Sequence, residues 1–548
     1  MTSLIVLSCV LAFVNAVIAG NHEIYSGYSV HGVRLRDQAD QIVLHKLEED
    51  LNVDLWNHGA PGLRDALVMV SPENKREFLA ILDQNGLNHY LHLDDVASSL
   101  KEYDTQVSSW KLSRTNRMPF LDYPRYAEVD AYMERIAREY PDLVTYSVYS
   151  VKLRDRSDQL VLLNLQVELN VDLWDHGAPD LRNALVMVSP ENKLKFLDTL
   201  EENSINHQLH LTDVALFLKA YDTHVTSWKQ SRTNRMPFED YPRYAEVDAY
   251  MERLAQEYPS LVTLVNAGAS FEGRAIKYLK ISTTNFSNTS KPIYFLDATL
   301  HAREWVTVPV ALYSIHRLVE NLRDQDRDLL ENVDWIVLPI ANPDGYEYSH
   351  TDDRLWRRTR SYNAEVSTEC WGVDANRNFD VNFNTIGVSS DPCSNVYPGH
   401  VAFSEPETRY VRDILLENID RLQLYLNIHS HGNYLLFGFG NTTLPANVAQ
   451  LHHVAAAMGA AIDVKKLPIA PYYLIGNSNL VLYGSSGSAQ DYGQEVGVPF
   501  SYTLELPGYG YSFVVPPQYI DQINTETWEG IALSARLASL YYRARNRF

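Results

Sequence analysis

A long tandem duplication in the first half of the chain constrains its fold more than any other sequence feature. Residues 28–145 align with residues 146–263 without a gap. The stretch DLWNHGAPGLRDALVMVSPENK at 54–75 returns as DLWDHGAPDLRNALVMVSPENK at 172–193. Two copies are too few for a solenoid, because such arrays need at least about three units to bury a continuous core. The duplication therefore predicts two similar small domains in series.

Each copy has the hydrophobic pattern of a small α+β unit. The predicted elements of the second copy are strands at 146–153, 181–190 and 205–211 and helices at 157–169, 190–203 and 212–231. The last helix runs into the basic stretch SRTNR at 231–235. That stretch is either a solvated linker or a cleavage site for a trypsin-like protease.

Beyond residue 238, strand and helix patterns alternate to the C-terminus. The predicted strands lie at 276–282, 293–299, 334–341, 422–429 and 500–505, and the predicted helices at 306–323, 404–418, 446–459 and 517–541. Such alternation is typical of an α/β fold with a mixed or largely parallel sheet. This region of about 310 residues is long enough for one large core.

The N-terminus indicates an exported protein, and the net charge gives no reason to expect a nucleic-acid or membrane partner. The chain has 548 residues, enough for about two to four domains, and a formal net charge of −22. An acidic chain has no electrostatic reason to bind nucleic acid or an anionic membrane. Residues 1–19 are apolar and end in small residues, which predicts a secretory signal peptide, with an uncleaved membrane anchor as the alternative.

Cysteine usage agrees with secretion. Of the three cysteines, Cys9 lies in the predicted signal peptide. Cys370 and Cys393 remain, and two cysteines in a secreted protein most simply form a disulfide. The chain also carries three Asn-x-Ser/Thr glycosylation sequons, which begin at Asn285, Asn288 and Asn441.

The segment DATLHAREWVTV at 297–308 places a histidine and a glutamate directly after a predicted core strand. A His-x-x-Glu pair can hold a metal ion, but His301 and Glu304 alone are weak support. His45 and Glu48 have the same spacing, and the second copy has leucine and glutamine at the corresponding positions. We therefore interpret His45 as a solvated helix residue.

Two more predicted strands end in residues of the same kind. His429 ends the stretch LQLYLNIHS, and Glu505 lies in FSYTLELPGYG. Ligands bind at the C-terminal edge of open α/β sheets, and histidines with a carboxylate suit a catalytic Zn²⁺ ion with one open position. A second glutamate would then take a proton from water. Spacing leaves open which glutamate does this, although the short pairing favours His301 and Glu304 as ligands.

Arginines cluster in the same region of the sequence, in RLWRRTR at 354–360 and in DANRN at 374–378. A charge run of this kind forms a solvated face or recognises a carboxylate, because a guanidinium group can bind one bidentately.

Seven motifs occur together in one order: HAREW, NPDGYEYS, LWRRTRS, GVDANRNFD, NIHSH, YGSSGSAQDY and TLELP. On these motifs, residues 238–548 resemble zinc metallocarboxypeptidases of the funnelin (M14) type, in the digestive A/B subfamily. Residues 20–235 resemble the inhibitory pro-segment of that subfamily, present twice. The resemblance implies a mixed, eight-stranded-type sheet flanked by helices, preceded by open-sandwich pro-segments. It also implies a monomeric zinc exopeptidase, secreted into the digestive lumen, that acts on peptides with a free C-terminus.

The resemblance implies a role for each matching residue. The predicted ligands of one zinc ion per chain are His301, Glu304 and His429, with Asp374 orienting His301. The predicted catalytic residues are Glu505 as general acid/base and Arg357 as stabiliser of the oxyanion. The predicted substrate-binding residues are Asn376, Arg377 and Tyr483 for the α-carboxylate and Arg303 for the subsite before the scissile bond. Cys370 and Cys393 match the common disulfide of the family.

His431 departs from the family pattern, which more often has an aromatic residue at this place. If it continues the strand, His431 shares a face with His429 and could perturb the metal. We expect it to line a substrate subsite instead.

Gln490 matches the position at the base of the pocket for the C-terminal side chain. In this subfamily B-type enzymes have an acidic residue there for Lys or Arg, and A-type enzymes have an apolar one. The predicted wall of the pocket consists of Ser478, Ser485 and Ser488. Because Gln490 is neutral, the resemblance predicts an A-like preference for aromatic, aliphatic or neutral polar residues.

The chain divides into five predicted regions: a signal peptide at 1–19, a first pro-segment at 20–120, an orphan copy of the catalytic domain's opening helix at 121–145, a second pro-segment at 146–235 and the catalytic domain at 236–548. We expect the second pro-segment to cover the active site until a trypsin-like protease cleaves near Arg235 or Arg232. The first copy is either a working tandem inhibitor, or a duplicated exon or assembly error.

Two other functions fit part of the pattern. An inactive binding protein on the same fold would typically lack a zinc ligand or the Glu505 carboxylate, and neither is missing. A zinc amidase acting on amino-acid conjugates would not need the residues that suit a free peptide C-terminus, which are Arg357, Asn376, Arg377 and Tyr483.

Overall fold

A computed structural model of the chain describes residues 25–36, 38–51, 53–57, 65–99, 101, 145–231 and 236–545. The predicted signal peptide at 1–19, nearly all of the orphan segment at 121–145 and the expected cleavage site at 232–235 lie outside these ranges. The chain forms two compact units, Met1–Arg138 and Glu139–Phe548. Across the described ranges, no helix is both long enough and apolar enough to span a bilayer.

The first unit contains a four-stranded antiparallel sheet with two helices. Its elements are β1 (Ser29–Val33), α1 (Gln38–Leu51), β2 (Asp54–Asn57), β3 (Ala66–Val70), α2 (Lys75–Gln84) and β4 (His89–Leu93). The strand order is β2-β3-β1-β4. Phe78 and Leu82 of α2 are fully buried and pack in the same core as Val68 and Val70 of β3.

The second unit begins with the same fold. Its first elements are β5 (Ser147–Val151), α3 (Arg156–Leu169), β6 (Asp172–Asp175), β7 (Ala184–Val188), α4 (Lys193–Glu202), β8 (His207–Leu211) and α5 (Val214–Ser231), with strand order β6-β7-β5-β8. Asp172 pairs with Met187 as Asp54 pairs with Met69, so the register repeats as well. The sequence patterns missed β6, because only four residues form it and two of them are aspartates.

An eight-stranded mixed sheet organises the rest of the second unit, which confirms the predicted fold. Its strands are β9 (Val262–Ala269), β10 (Ala275–Ile281), β11 (Ile293–Ala298), β12 (Asp334–Leu338), β13 (Leu422–Ser430), β14 (Tyr434–Phe437), β15 (Leu474–Asn477) and β16 (Phe500–Leu506), in the order β15-β14-β16-β13-β11-β12-β10-β9. The disulfide between Cys370 and Cys393 is present, as predicted. The predictions missed β9, β14 and β15.

Helices cover both faces of this sheet. They are α6 (Tyr244–Glu257), α7 (Thr307–Val319), α8 (Arg327–Asn332), α9 (Pro343–Thr351), α10 (Pro406–Glu417), α11 (Val448–Asp463), α12 (Ser478–Val481), α13 (Ala489–Glu495) and α14 (Ile520–Arg545). Along β13, Leu424 and Leu426 enter one core, whereas Tyr425 enters the other. Burial on both faces explains why the central strands have nearly continuous apolar runs.

The three strands that matter most for function are neighbours. β11 is parallel to β13, and β13 is parallel to β16. Parallel neighbours end at the same edge of a sheet, so the residues that close these strands meet there.

Candidate active site

The three predicted zinc ligands converge at the C-terminal edge of the sheet. His301 and Glu304 lie on the turn after β11, and His429 lies near the end of β13. Their donor atoms lie within 4.8 Å of one another. His301 Nδ1 is 2.8 Å from Glu304 Oε1 and 3.0 Å from His429 Nδ1. All three side chains are buried, so the cluster is shielded from bulk water.

This donor set fits zinc. Two nitrogens bound to a tetrahedral zinc ion at about 2.0–2.1 Å are roughly 3.3 Å apart, close to the spacing of the two imidazoles here. Burial alone raises the pKa of the Glu304 carboxyl, but His301 and His429 outweigh it and hold that pKa below its usual range. The glutamate therefore stays ionised, as a metal ligand must.

Each histidine of the cluster is oriented through its other ring nitrogen. His301 Nε2 lies 2.9 Å from Asp374 Oδ1, and His429 Nε2 lies 2.6 Å from Asn427 Oδ1. Asn427 in turn donates to Asp297 at 2.7 Å. Such partners fix the tautomer and direction of a ligand ring. The resemblance predicted Asp374 as a partner of His301. Asn427 was not predicted, although it lies two residues before His429 on the same strand and therefore on the same face.

Glu505 stands beside the cluster on the adjacent strand. The parallel register of β13 and β16 pairs it directly with His429. Burial raises the pKa of Glu505 to about 8, although the charge of His429 opposes this shift. A carboxyl group with such a pKa can both accept and return a proton near neutral pH. The structure thus distinguishes the two glutamates, since Glu304 lies between the histidines and Glu505 lies next to them.

Arg357 and Asp374 form a buried ion pair behind the cluster. Arg357 Nη2 lies 2.8 Å from Asp374 Oδ2, and its Nη1 lies 3.9 Å from Glu304 Oε1. Burial raises the pKa of Asp374, but Arg357 and His301 outweigh it and hold that pKa well below its usual range. The pair fixes the guanidinium group at the wall of the cleft.

The structure brings the three predicted carboxylate-binding residues together. Arg377 Nη2 donates to the Tyr483 hydroxyl at 3.0 Å across 106 positions of sequence. Asn376 accepts from the main-chain amide of Ala489 at 2.8 Å through its side-chain oxygen. All three line the same cavity as Glu505.

Arg303 pairs with a carboxylate of the pro-segment, whereas the three predicted carboxylate-binding residues line the cavity. Its guanidinium group is buried and forms a bidentate ion pair with Asp172 of β6. It also lies over the ring of Phe513, 4.0 Å from the ring centroid.

His431 does not continue the strand that carries His429. The strand β13 ends at Ser430, so His431 is not on a strand face shared with His429. Its ring packs edge to face on Phe513, with the centroids 5.1 Å apart, and it lines the cleft. The reason is that the chain turns at Gly432 immediately after the strand, where φ is 156°.

The second pro-segment occupies the mouth of this cleft. Trp174 and His176 line the same cavity as the metal cluster. His176 stacks on Tyr483, with ring centroids 3.9 Å apart and planes 17° from parallel. Burial, together with Arg357 and other nearby arginines, holds the pKa of His176 well below its usual range, so the ring is neutral. The sequence predicted that the pro-segment covers the active site, but it did not predict which residues make the contacts. These contacts join segments more than a hundred positions apart.

Two arginines of the pro-segment reach the catalytic region at the rim. Arg156 donates to the main-chain oxygen of Asn479 at 2.8 Å, and Arg182 donates to the main-chain oxygen of Gly432. Arg182 also lies over the ring of Tyr434, at 4.5 Å from the centroid. These contacts hold the small domain against the sheet edge.

Comparison with known families agrees with this geometry. Residues 247–530 match the zinc carboxypeptidase family of peptidases M14. Residues 32–103 and 149–220 each match the carboxypeptidase activation peptide. The two activation-peptide matches fall in the two copies of the duplication.

Individual relatives extend the similarity beyond the catalytic region. The chain is 44% identical to carboxypeptidase B of Helicoverpa zea, over 73% of this chain and 95% of that protein. It is 34% identical to zinc carboxypeptidase A 1 of Drosophila melanogaster, over 72% and 93%. The crystal structure of carboxypeptidase A from Helicoverpa armigera superposes with a TM-score of 0.70 at 41% identity, over 73% of this chain and 98% of that one.

The hydrogen bond from His301 Nε2 to Asp374 gives a test of the metal site. We expect Asp374→Asn to weaken zinc binding by about 10- to 100-fold, because the ring loses the partner that fixes its direction. Zinc affinity is measured by competition with a chelator of known affinity. Asp380→Asn, an exposed residue in the same segment, is the control and should bind zinc like the wild type. Unchanged affinity in Asp374→Asn would contradict the assignment.

Proposed function

Because this chain belongs to the zinc carboxypeptidase family, we propose that it is a secreted zymogen that removes single C-terminal residues from peptides and proteins after cleavage near Arg235. The observation that carries the proposal is the meeting of a zinc donor cluster, Glu505 and the Arg377–Tyr483 pair in one cavity. The zinc donors and Glu505 can hydrolyse a peptide bond, and Arg377 with Tyr483 can bind the free carboxylate of the substrate.

The substrate is positioned by its C-terminal carboxylate. Arg377 and Asn376 offer N–H donors, and the Tyr483 hydroxyl already lies 3.0 Å from Arg377. A guanidinium group binds a carboxylate more strongly than a neutral amide, because the hydrogen bonds are charge-assisted. This preference makes the enzyme an exopeptidase rather than an amidase.

The zinc ion and the chain's own residues have different roles in hydrolysis. Bound zinc supplies a Lewis acid that polarises the carbonyl group and makes water more acidic. Glu505 takes the proton from the attacking water and passes it to the leaving amine. Arg357, held by Asp374, donates to the oxygen on which negative charge develops. The C–N bond breaks, and the free amino acid leaves with the proton on its nitrogen.

The first test separates enzyme from binding protein. We expect the trypsin-treated protein to release C-terminal residues from N-blocked dipeptides, with full loss on zinc chelation. Glu505→Gln should lower kcat by at least about a thousandfold and retain zinc, because only the proton carrier is lost. Peptide amides should be poor substrates. No release despite bound zinc would favour the inactive binding protein, and equal release from amides would favour the amidase.

The pro-segment makes the uncleaved form latent in this proposal. Asp172 covers Arg303, His176 covers Tyr483, and the intact main chain of β6 stands where a substrate would lie. The first copy (20–120) would be a second activation peptide, since the same family description matches both.

Latency depends on the buried ion pair between Asp172 and Arg303. Removing one partner of such a pair typically costs about 3–5 kcal/mol. We expect Asp172→Asn to raise the residual activity of the uncleaved protein by about tenfold or more. Asp198→Asn, an exposed aspartate on α4, is the matched control and should leave latency unchanged. A fully latent Asp172→Asn zymogen would contradict this role.

Side-chain preference is proposed to be A-like. Gln490 is buried, and the neighbouring acid Asp491 accepts a hydrogen bond from the amide of Gly440 at 2.6 Å. Burial raises the pKa of Asp491 to about 7, so it is a weak counter-ion for a basic side chain. Similar proteins are named carboxypeptidase A in one case and carboxypeptidase B in another, so their names do not decide the side-chain preference.

A charge placed at the base of the pocket should reverse the preference. We expect the wild type to release Phe, Leu or Gln faster than Lys or Arg, and Gln490→Asp to shift the ratio of kcat/KM towards Lys and Arg by about tenfold or more. Gln490→Leu, which is also neutral, should keep the original order. A wild-type enzyme that prefers Lys or Arg over Phe by tenfold would disprove the A-like assignment.

A further inference from the structure

We propose that a second cavity of the catalytic region, outside the active-site cleft, binds an organic cation, which is an alkylammonium or alkylguanidinium group. The cavity lies where the turn between β9 and β10 meets the segment that carries Cys370 and the start of α10. Its volume of about 410 Å³ is in the range of small-molecule sites. Of the described residues, none lines both this cavity and the cleft that contains Glu505. Binding there does not depend on the proposed function.

Glu405 supplies a buried carboxylate at the wall of this cavity. Its side chain is 2% exposed. Glu405 Oε2 accepts from the Thr359 hydroxyl at 2.6 Å, and Oε1 accepts from the Ser404 hydroxyl at 2.8 Å. Both donors are neutral, and among the described residues no basic side chain lies within 4.0 Å of this carboxylate. A buried charge is stabilised when it is paired, so a cation that enters the cavity would be favoured.

The neighbouring residue Glu407 shows that this part of the structure keeps one negative charge and not two. Its carboxyl group is buried, and neither of its oxygens has a hydrogen-bond partner among the described residues. Burial, reinforced by the negative charge of Glu405, holds the pKa of Glu407 well above its usual range. Glu407 is therefore neutral, and Glu405, with its two hydroxyl donors, carries the charge.

Aromatic rings indicate which kind of cation fits. The cavity is lined by Phe271, Tyr362, Tyr397 and Tyr410. The face of an aromatic ring attracts a cation, and aromatic cages are a common way to recognise organic ammonium groups. Calcium and magnesium ions need several oxygen ligands, whereas Glu405 is the one carboxylate among the described lining residues. An organic cation therefore matches the cavity better than a metal ion does.

Two basic residues also line the cavity and restrict where the cation can lie. Arg409 Nη1 donates to the main-chain oxygens of Phe403 at 2.9 Å and Ser404 at 2.8 Å, so its charge is directed towards carbonyl groups. His400 is exposed. We therefore place the cation on the side of Glu405, with its alkyl chain towards the aromatic rings.

The test measures binding to the uncleaved protein by isothermal titration calorimetry. In this form the pro-segment covers the cleft, which limits binding of the probes there. We expect butylammonium and butylguanidinium ions to bind one to one with a Kd of about 1 mM or lower. The neutral 1-butanol, which has nearly the same size, should bind at least about tenfold more weakly, because it lacks the charge.

The same chemistry could come from a free amine or from a basic side chain of a peptide. An N-acetylated, C-amidated Gly-Lys-Gly tripeptide distinguishes the two sources. Tighter binding of the tripeptide than of butylammonium would assign the cavity to a basic peptide side chain. Tighter binding of butylammonium would assign it to a small free cation.

Substitutions assign the binding to residues. Glu405→Gln should weaken butylammonium binding by at least about tenfold, and Phe271→Ala, which removes a ring that is 49% exposed, by about threefold. Glu417→Gln, at an exposed glutamate of α10, is the matched control and should bind like the wild type.

Three results would overturn the inference. They are equal binding of butylammonium and 1-butanol, unchanged binding in both Glu405→Gln and Phe271→Ala, and no saturable binding of either cation up to about 10 mM. If Glu405→Gln does not fold, the comparison with 1-butanol and the Phe271→Ala variant decide, because neither alters a buried group.

Discussion

The site depends on one constraint, which is that three neighbouring parallel strands end at the same edge of the sheet. β11, β13 and β16 pair in register, so the residues that follow or close them are brought within reach of one another. His301, His429 and Glu505 come from three distant parts of the sequence, yet main-chain hydrogen bonds fix their separation. A shift by one residue in β13 would turn His429 to the opposite face of the sheet. The sheet therefore fixes the relative positions of these three residues.

Charge balance around this edge is achieved by pairing. Asp374 lies between Arg357 and His301, and Glu304 lies between the two histidines. Buried charges persist only when they are paired or bound to a metal ion. The same rule fits the pro-segment, because its Asp172 pairs with Arg303, for which no other carboxylate lies within ion-pair distance among the described residues. The proposed latency of the uncleaved chain would use this same electrostatic requirement.

The sequence predicted the site better than its surroundings. His301, Glu304, His429 and Glu505 were predictable because each lies near or just after the end of a buried strand with a clear apolar pattern. The strand β6 was not, since DLWD has no hydrophobic alternation and its contact with Arg303 spans 131 positions. The sequence prediction ended the strand β13 at residue 429, one residue before its observed end, and left open whether His431 continues it. Contacts between distant segments depend on tertiary packing, which local patterns do not encode.

Arg354 has a consequence for how such a protein can change over evolutionary time. It supports the backbone at two positions through main-chain oxygens and makes no demand on the side chains that those positions carry. Residues 303 and 513 can therefore vary while the loop and the turn that present them keep their shape. Single substitutions at these two positions could change which peptides the cleft accepts while the fold stays intact.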